Sequence, residues 1–201
     1  MTRSLVSRIA LALGAAFLLS SAAAAANTTW TIDPAHSAAR FAVRHLTIST
    51  VHGEFHNVKG AVIVDDSDIT KSTVDVTIDT TTVDTQEPGR DKDLKSPNFF
   101  DVEKFPVITF KSTRVEKAGA GKLRVTGDLT LHGVTKSVVL DVEGPTAPIK
   151  DPWGNQRAAA SATTKINRQD FGVKWNAKMD NGGLVVGDEV SISIEIEMIH
   201  K

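Results

Sequence analysis

Three groups of side chains in this 201-residue sequence have types and spacings that chemistry could use. The first is His52, Glu54 and His56, metal-ligating types at every second position. On a β-strand such residues share one face, and imidazoles with a carboxylate form a zinc-type donor set. Strand residues four apart sit about 13 Å from one another, so one ion could not be shared without a bulge. The second is the pair His36-Ser37, a base beside a nucleophile. Adjacent strand residues point to opposite faces, and no Gly-x-Ser-x-Gly elbow accompanies them. No catalytic residue, metal or cofactor is therefore expected. The third group is the segment "GRDKDLKSPNFFDVEKFPVITF", Gly89 to Phe110. It holds Phe99, Phe100, Phe105 and Phe110 directly after the charged run Arg90, Asp91, Lys92, Asp93 and Lys95. Two readings stand: a hydrophobic plug with a solvated, locally paired shoulder, or the wall of an apolar cavity whose rim carries donors for a polar headgroup. On the second reading Arg90 and Lys95 are the rim donors, Arg being the better planar donor to phosphate. Arg168, in "INRQDFG", faces the same choice between a ligand and a local role with Asp170 or a turn.

These residues need a scaffold, and the pattern after residue 30 is that of strands. Val190, Ile192, Ile194, Ile196 and Met198 alternate with Ser191, Ser193, Glu195 and Glu197, a period of two with one wet face. Leu123, Val125, Leu129 and Leu131 repeat it, as do Val74, Val76 and Ile78, then Val138, Leu140 and Val142, and Phe41 with Val43. Thr50–Asp65, Val107–Glu116 and Arg157–Asn167 are further strand runs. Turn signals separate them, among them Ala118-Gly119-Ala120-Gly121, His132-Gly133, the stretch Asp151 to Asn155, and Asn181-Gly182-Gly183. About eight strands joined by short turns predict an all-β antiparallel sheet closed into a barrel, which removes its exposed edges. A barrel of that size is either filled by its own side chains or holds one small ligand. The stretch Thr81 to Phe105 shows no alternation and predicts a short helical insert, with Pro88 at a first helical position and Ser96-Pro97 opening a second turn. Gly127, Gly133 and Gly172 suit turns, bulges or close backbone approach; Trp153 and Trp175 suit barrel caps or contact with lipid headgroups.

Composition narrows the setting. Residues 1–26 combine Arg3 and Arg8, an apolar run, and an Ala-rich stretch ending at Ala24-Ala25-Ala26, the pattern of a cleaved signal peptide. Residues 27–201 then form a single domain. Without cysteine there is no disulfide framework, no thiolate site and no lipidated N-terminus. The net charge is −1; losing Arg3 and Arg8, with no acid in residues 1–26, takes it to −3. That excludes the basic face of a nucleic-acid binder and the polybasic route to anionic lipid.

The blocks "IDPAHSAARFAVRHL", "GEFHNVKGAVIVD", "GRDKDLKSPNFFDVEKFPVITFKST", "VTGDLTLHGVTKSVVLDV", "INRQDFGVKWN" and "VGDEVSISIEIE" resemble, in order, signature blocks of the YceI family of bacterial periplasmic proteins. The resemblance runs from about Thr31 to Ile199. It implies a lipocalin-like antiparallel β-barrel that holds a polyisoprenoid lipid or isoprenoid quinone in an elongated apolar cavity, with no bond made or broken. Under that implication the tail lies among Phe41, Val43, Phe55, Phe99, Phe100, Phe105, Phe110, Leu129 and Leu131. The head lies near Arg90, Lys95, His36 or Arg168. A periplasmic location, transient membrane contact and a homodimer of side-by-side barrels complete the expectation. One position departs from the family pattern: Asp93, in "RDKDLKS", stands where a histidine is usual, which puts the headgroup in question rather than the fold. Two alternatives remain: an enzyme acting on an apolar substrate at the barrel mouth, and a filled barrel whose outer face binds a protein.

Overall fold

A computed structural model describes residues 27–180 and 182–201; the expected signal peptide, residues 1–26, lies outside them. Among the described residues there are eleven strands: β1 Asn27–Ile32, β2 Ala38–His45, β3 Ser49–Phe55, β4 Val58–Asp65, β5 Thr73–Asp79, β6 Val107–Gly119, β7 Lys122–Leu131, β8 Val134–Glu143, β9 Ile149–Lys150, β10 Gln156–Asn167 and β11 Val186–His200. One α-helix, α1, spans Pro88–Lys95. Eight strands close a ring in the order β1-β4-β5-β6-β7-β8-β10-β11, every neighbour antiparallel. β2 and β3 extend the wall from the lower half of β11, and β9 is a short annex to β10. The barrel is the lipocalin-like one expected.

Alternation decides which face looks inward. Along β11, Ile192, Ile194, Ile196 and Met198 face the interior while Glu189 and Glu195 face water. Register then stacks apolar residues layer on layer, as where Val76 lies opposite Phe110 and Phe110 opposite Leu129. Two glycines serve this packing directly. A Cβ at Gly53 would collide with the ring of Phe41, its cross-strand partner, and a Cβ at Gly127 would collide with the ring of Phe110. Each bare backbone lets an aromatic ring lie flat across the neighbouring strand. The β7–β8 turn is the two-residue His132-Gly133, with both φ values positive (51° and 74°), as a tight hairpin needs.

The run Thr50–Asp65 expected as one strand is two. His56-Asn57 interrupt it, Asn57 taking φ 61°, a left-handed backbone that Asn tolerates better than most residues. Asparagine inside an otherwise good β run was the overlooked breaker. The insert is helical as expected. Pro88 opens α1, and the Glu87 carboxylate caps it by accepting from the N–H groups of Gly89 and Arg90. Ser96 ends α1 and, with Pro97, opens the expected second turn: its carbonyl accepts from the N–H of Phe99 and its hydroxyl from the N–H of Asn98.

The insert, the turns at 46–48 and 132–133, and the loop 172–185 gather at one end of the barrel, the helical end. The turns 66–72 and 120–121 and the segment 144–155 lie at the far end. Phe55, Val83, Ile108, Leu131, Ile166 and Phe171 form a buried cluster at the helical end, with Phe41, Leu94 and Phe100 against it.

Candidate functional site

The barrel is hollow. A cavity of about 260 Å³ runs through it, lined from Ile69, Leu123 and Pro145 at the far end to Leu94, Phe99, Phe100 and Val173 at the helical end. The lining residues of β11 alone, Val190 to Met198, extend about 26 Å at ~3.3 Å per residue. The cavity is therefore long and narrow, suited to one slender chain. Aliphatic side chains of β4, β5, β7, β8 and β11 supply most of the wall. The middle of β10 supplies Ala160, Ala162 and Thr164 instead, with Ile166 toward the helical end. Methyl groups at positions where the other strands carry Val, Ile or Leu leave the space unfilled, because buried volume that no side chain occupies remains as void.

Eight of the nine residues expected to hold a tail line this cavity: Phe41 and Val43 on β2, Phe55 on β3, Phe99 and Phe100 after α1, Phe110 on β6, and Leu129 and Leu131 on β7. Phe105 does not. Its carbonyl is tied to the hydroxyl of Thr80, and its ring is turned outward onto His132, with ring centroids 4.6 Å apart, beside Gly133. The aromatic segment thus serves both readings. Phe55 and Phe100 meet edge to face at 5.2 Å and Phe41 lies 5.7 Å from Phe55, plugging the helical end, while the same rings form the cavity floor. Such pairs contribute ~0.5–1.5 kcal/mol beyond the area they bury.

The expected headgroup donors are placed differently. His36 sits in the β1–β2 turn on the outside of the wall, 2.9 Å from Asp33 and exposed. Arg90 donates from Nε to the Thr85 hydroxyl (2.8 Å) and from Nη2 to the Thr85 carbonyl (2.9 Å), bordering a polar outer groove shared with Arg40, His52 and Glu54. Asp91 also accepts from Thr85, through its N–H and its hydroxyl. The charged shoulder is thus local scaffolding for a buried threonine. Lys95, on α1, is half-buried and outside the cavity lining.

Arg168 reaches the cavity edge, yet its donors are committed to protein. Nε donates to the Gly187 carbonyl, Nη1 to the carbonyls of Val173 (2.7 Å) and Trp175 (2.9 Å), and Nη2 to the Val186 carbonyl and Asp188. The side chain is 6% exposed. Burial pushes the guanidinium below its ordinary value, partly offset by Asp188. Its visible role is to hold the loop 173–187 against the barrel.

His52, Glu54 and His56 do not converge as ligands. His56 lies just beyond β3, with Nε2 3.7 Å from Glu54 and 3.9 Å from Asp84. Among the described residues, ligand atoms of Asp33, His36 and Glu197 do come together. Arg157 already occupies that space, donating from Nη1 to both Asp33 and Glu197 and from Nε to Asp151. A cation already balances those carboxylates.

Sequence reasoning missed part of the wall. Ala160, Ala162, Val62 and Val64 line the cavity without having been singled out, and the β11 isoleucines line it without having been named as tail contacts. Period-two alternation marked the β11 set as inward. The run Ala158-Ala159-Ala160-Ser161-Ala162 was the available sign of a thin wall.

An eight-stranded antiparallel barrel with a lengthwise apolar cavity and a helical insert defines a lipocalin-like class. Comparison with known proteins narrows it: the model of the YceI-like domain matches residues 30–198, and the chain belongs to that family. A UPF0312 protein of Vibrio cholerae is 40% identical over 166 residues, covering 82% of this chain and 87% of its own. One from Photorhabdus laumondii is 40% identical over 187 residues, covering 93% and 94%. Among solved structures, the Campylobacter jejuni YceI protein superposes with a TM-score of 0.66 at 31% identity, covering 79% of this chain and 90% of its own. A polyisoprenoid-binding domain from Saccharophagus degradans superposes with a TM-score of 0.62 at 16% identity, covering 87% and 99%, a likeness of fold.

Proposed function

We propose that this protein is exported by residues 1–26 and acts in the periplasm as a non-catalytic carrier for a polyisoprenoid lipid or isoprenoid quinone. The observation that supports this best is the cavity: long, narrow and walled almost wholly by hydrocarbon. A prenyl chain offers only methyl, methylene and alkene groups, so its affinity must come from apolar burial, worth ~25 cal/mol per Å². A tail burying several hundred Å² gains several kcal/mol before association costs. Of the two charged side chains that border the cavity, Arg168 has its donors engaged by protein, and Arg40 is half-exposed and turns its Nε to Glu54 in the outer groove. The tail therefore enters and the head stays at a mouth, in water. A polyisoprenoid-binding domain of the same fold gives independent support for the ligand class.

The test is extraction and mass spectrometry of lipid carried by protein purified from periplasm, paired with titration of a fluorescent prenyl probe. Co-purified prenyl lipid and saturable uptake are expected. Protein that is repeatedly lipid-free and takes up no probe refutes the carrier role.

A further inference from the structure

We propose that the far-end tip carrying Trp153 and Ile149 is a docking surface for the lipid bilayer interface, through which the tail enters and leaves; this rests on the carrier reading above. Trp153 is 79% exposed and Ile149 67%, both among the most exposed large apolar side chains of the described residues. They sit on the segment that joins β8 to β10 through β9, where Pro145, Pro148 and Pro152 are also exposed.

The tip is built, not loose. Asp151 is buried at its base and accepts from the N–H groups of Trp153 and Asn155, from Asn155 Nδ2 and from Arg157 Nε, each at 2.8–2.9 Å. Arg157 in turn bridges to Asp33 and Glu197, anchoring the tip to β11 and the β1–β2 turn. An exposed Trp adds nothing to folding, so a turn held this firmly around one points outward to a contact.

Three observations select a bilayer. Pro145, on the same segment, both lines the cavity and faces solvent, so the apolar path of the cavity continues onto the tip. The patch has two large side chains and a few prolines, far short of the roughly 1,000 Å² that a specific protein interface buries. Indole, with an apolar body and a polar N–H, favours the headgroup boundary. Charge does not drive the docking: a net charge of −3 after loss of residues 1–26 offers anionic lipid no attraction.

The experiment uses phosphatidylcholine vesicles and the Trp175→Phe background, leaving Trp153 and the buried Trp30 as emitters. A blue shift on vesicle addition, quenching by brominated acyl chains, and no gain from anionic lipid are expected. Transfer of a fluorescent prenol from vesicles should slow about tenfold in Trp153→Ala, as lost apolar burial dictates, while occupancy by prenol delivered from ethanol stays unchanged. Trp175→Phe should transfer at the wild-type rate. Vesicle-independent emission, a wild-type rate in Trp153→Ala, or self-association through the tip seen by sedimentation overturns the docking proposal. Failure of the wild type to take up prenol by either route overturns the carrier reading instead.

Discussion

The helical end of the barrel and its β10 wall use opposite strategies within one sheet. At the helical end, Phe55, Phe100 and Phe171 pack ring against ring, and Phe171 is 2% exposed. At mid-height on β10 the inward positions are methyls, Ala160 and Ala162, and beside them the barrel stays open. Bulk at one end gives stability; its omission along one strand leaves room. The two demands conflict only if met at the same residues, and here they are met at different heights.

That division can be broken in stages. Phe171→Ala should cost the most, about 3–5 kcal/mol in chemical denaturation, because a buried ring is lost where neighbours cannot collapse. Arg168→Lys should follow at ~2–3 kcal/mol: one ammonium cannot serve the carbonyls of Val173, Trp175, Val186 and Gly187 together, and buried acceptors left unpaired are costly. Its unfolding should be preceded by protease nicking in the loop 173–187.

Ala162→Phe reverses the signs. It fills void, so stability should change by less than ~1.5 kcal/mol, while affinity for a prenyl probe falls at least about tenfold. Loss of folding without loss of binding would show the wall at β10 to be packed, contrary to the void beside it.

The smallest effect concerns pH. Burial would raise the Asp151 carboxyl, but hydrogen bonds from Asn155, Arg157 and the N–H of Trp153 outweigh it and hold the group well below its ordinary 3.8. Asp33 is lowered likewise: burial opposes, and His36, Arg157 and the N–H of Ala35 prevail. A depressed carboxylate contributes stability above its unfolded value and loses it as pH falls toward the folded one. Melting temperature should thus stay flat from neutrality to about pH 4, then drop at lower pH. Asp151→Asn should shrink that acid-side drop, read by calorimetry from pH 2 to 7.

The alternation in β5, β7, β8 and β11 was legible because a half-buried strand repeats every two residues, and each of those inward sets lines the cavity. The insert and the His132-Gly133 turn were legible for a similar reason: proline fixes φ and glycine admits positive φ, both properties of the residue itself. Which rings point inward was not. Phe105 and Phe110 are five residues apart in one aromatic segment, yet a hydrogen bond between Thr80 and the Phe105 carbonyl helps turn one ring out while β6 turns the other in. The partners of Arg157 were equally hidden, since Asp33 lies 124 residues away and meets it only when β1 and β10 are brought beside β11.

Family membership, the antiparallel barrel class and the apolar nature of the interior were thus set by the order of residues along the chain, because each depends on local type and period. Whether that interior is full or empty was decided by tertiary structure. Void is the difference between the space enclosed by eight strands and the volume of the side chains meeting inside it, and no single segment carries that difference.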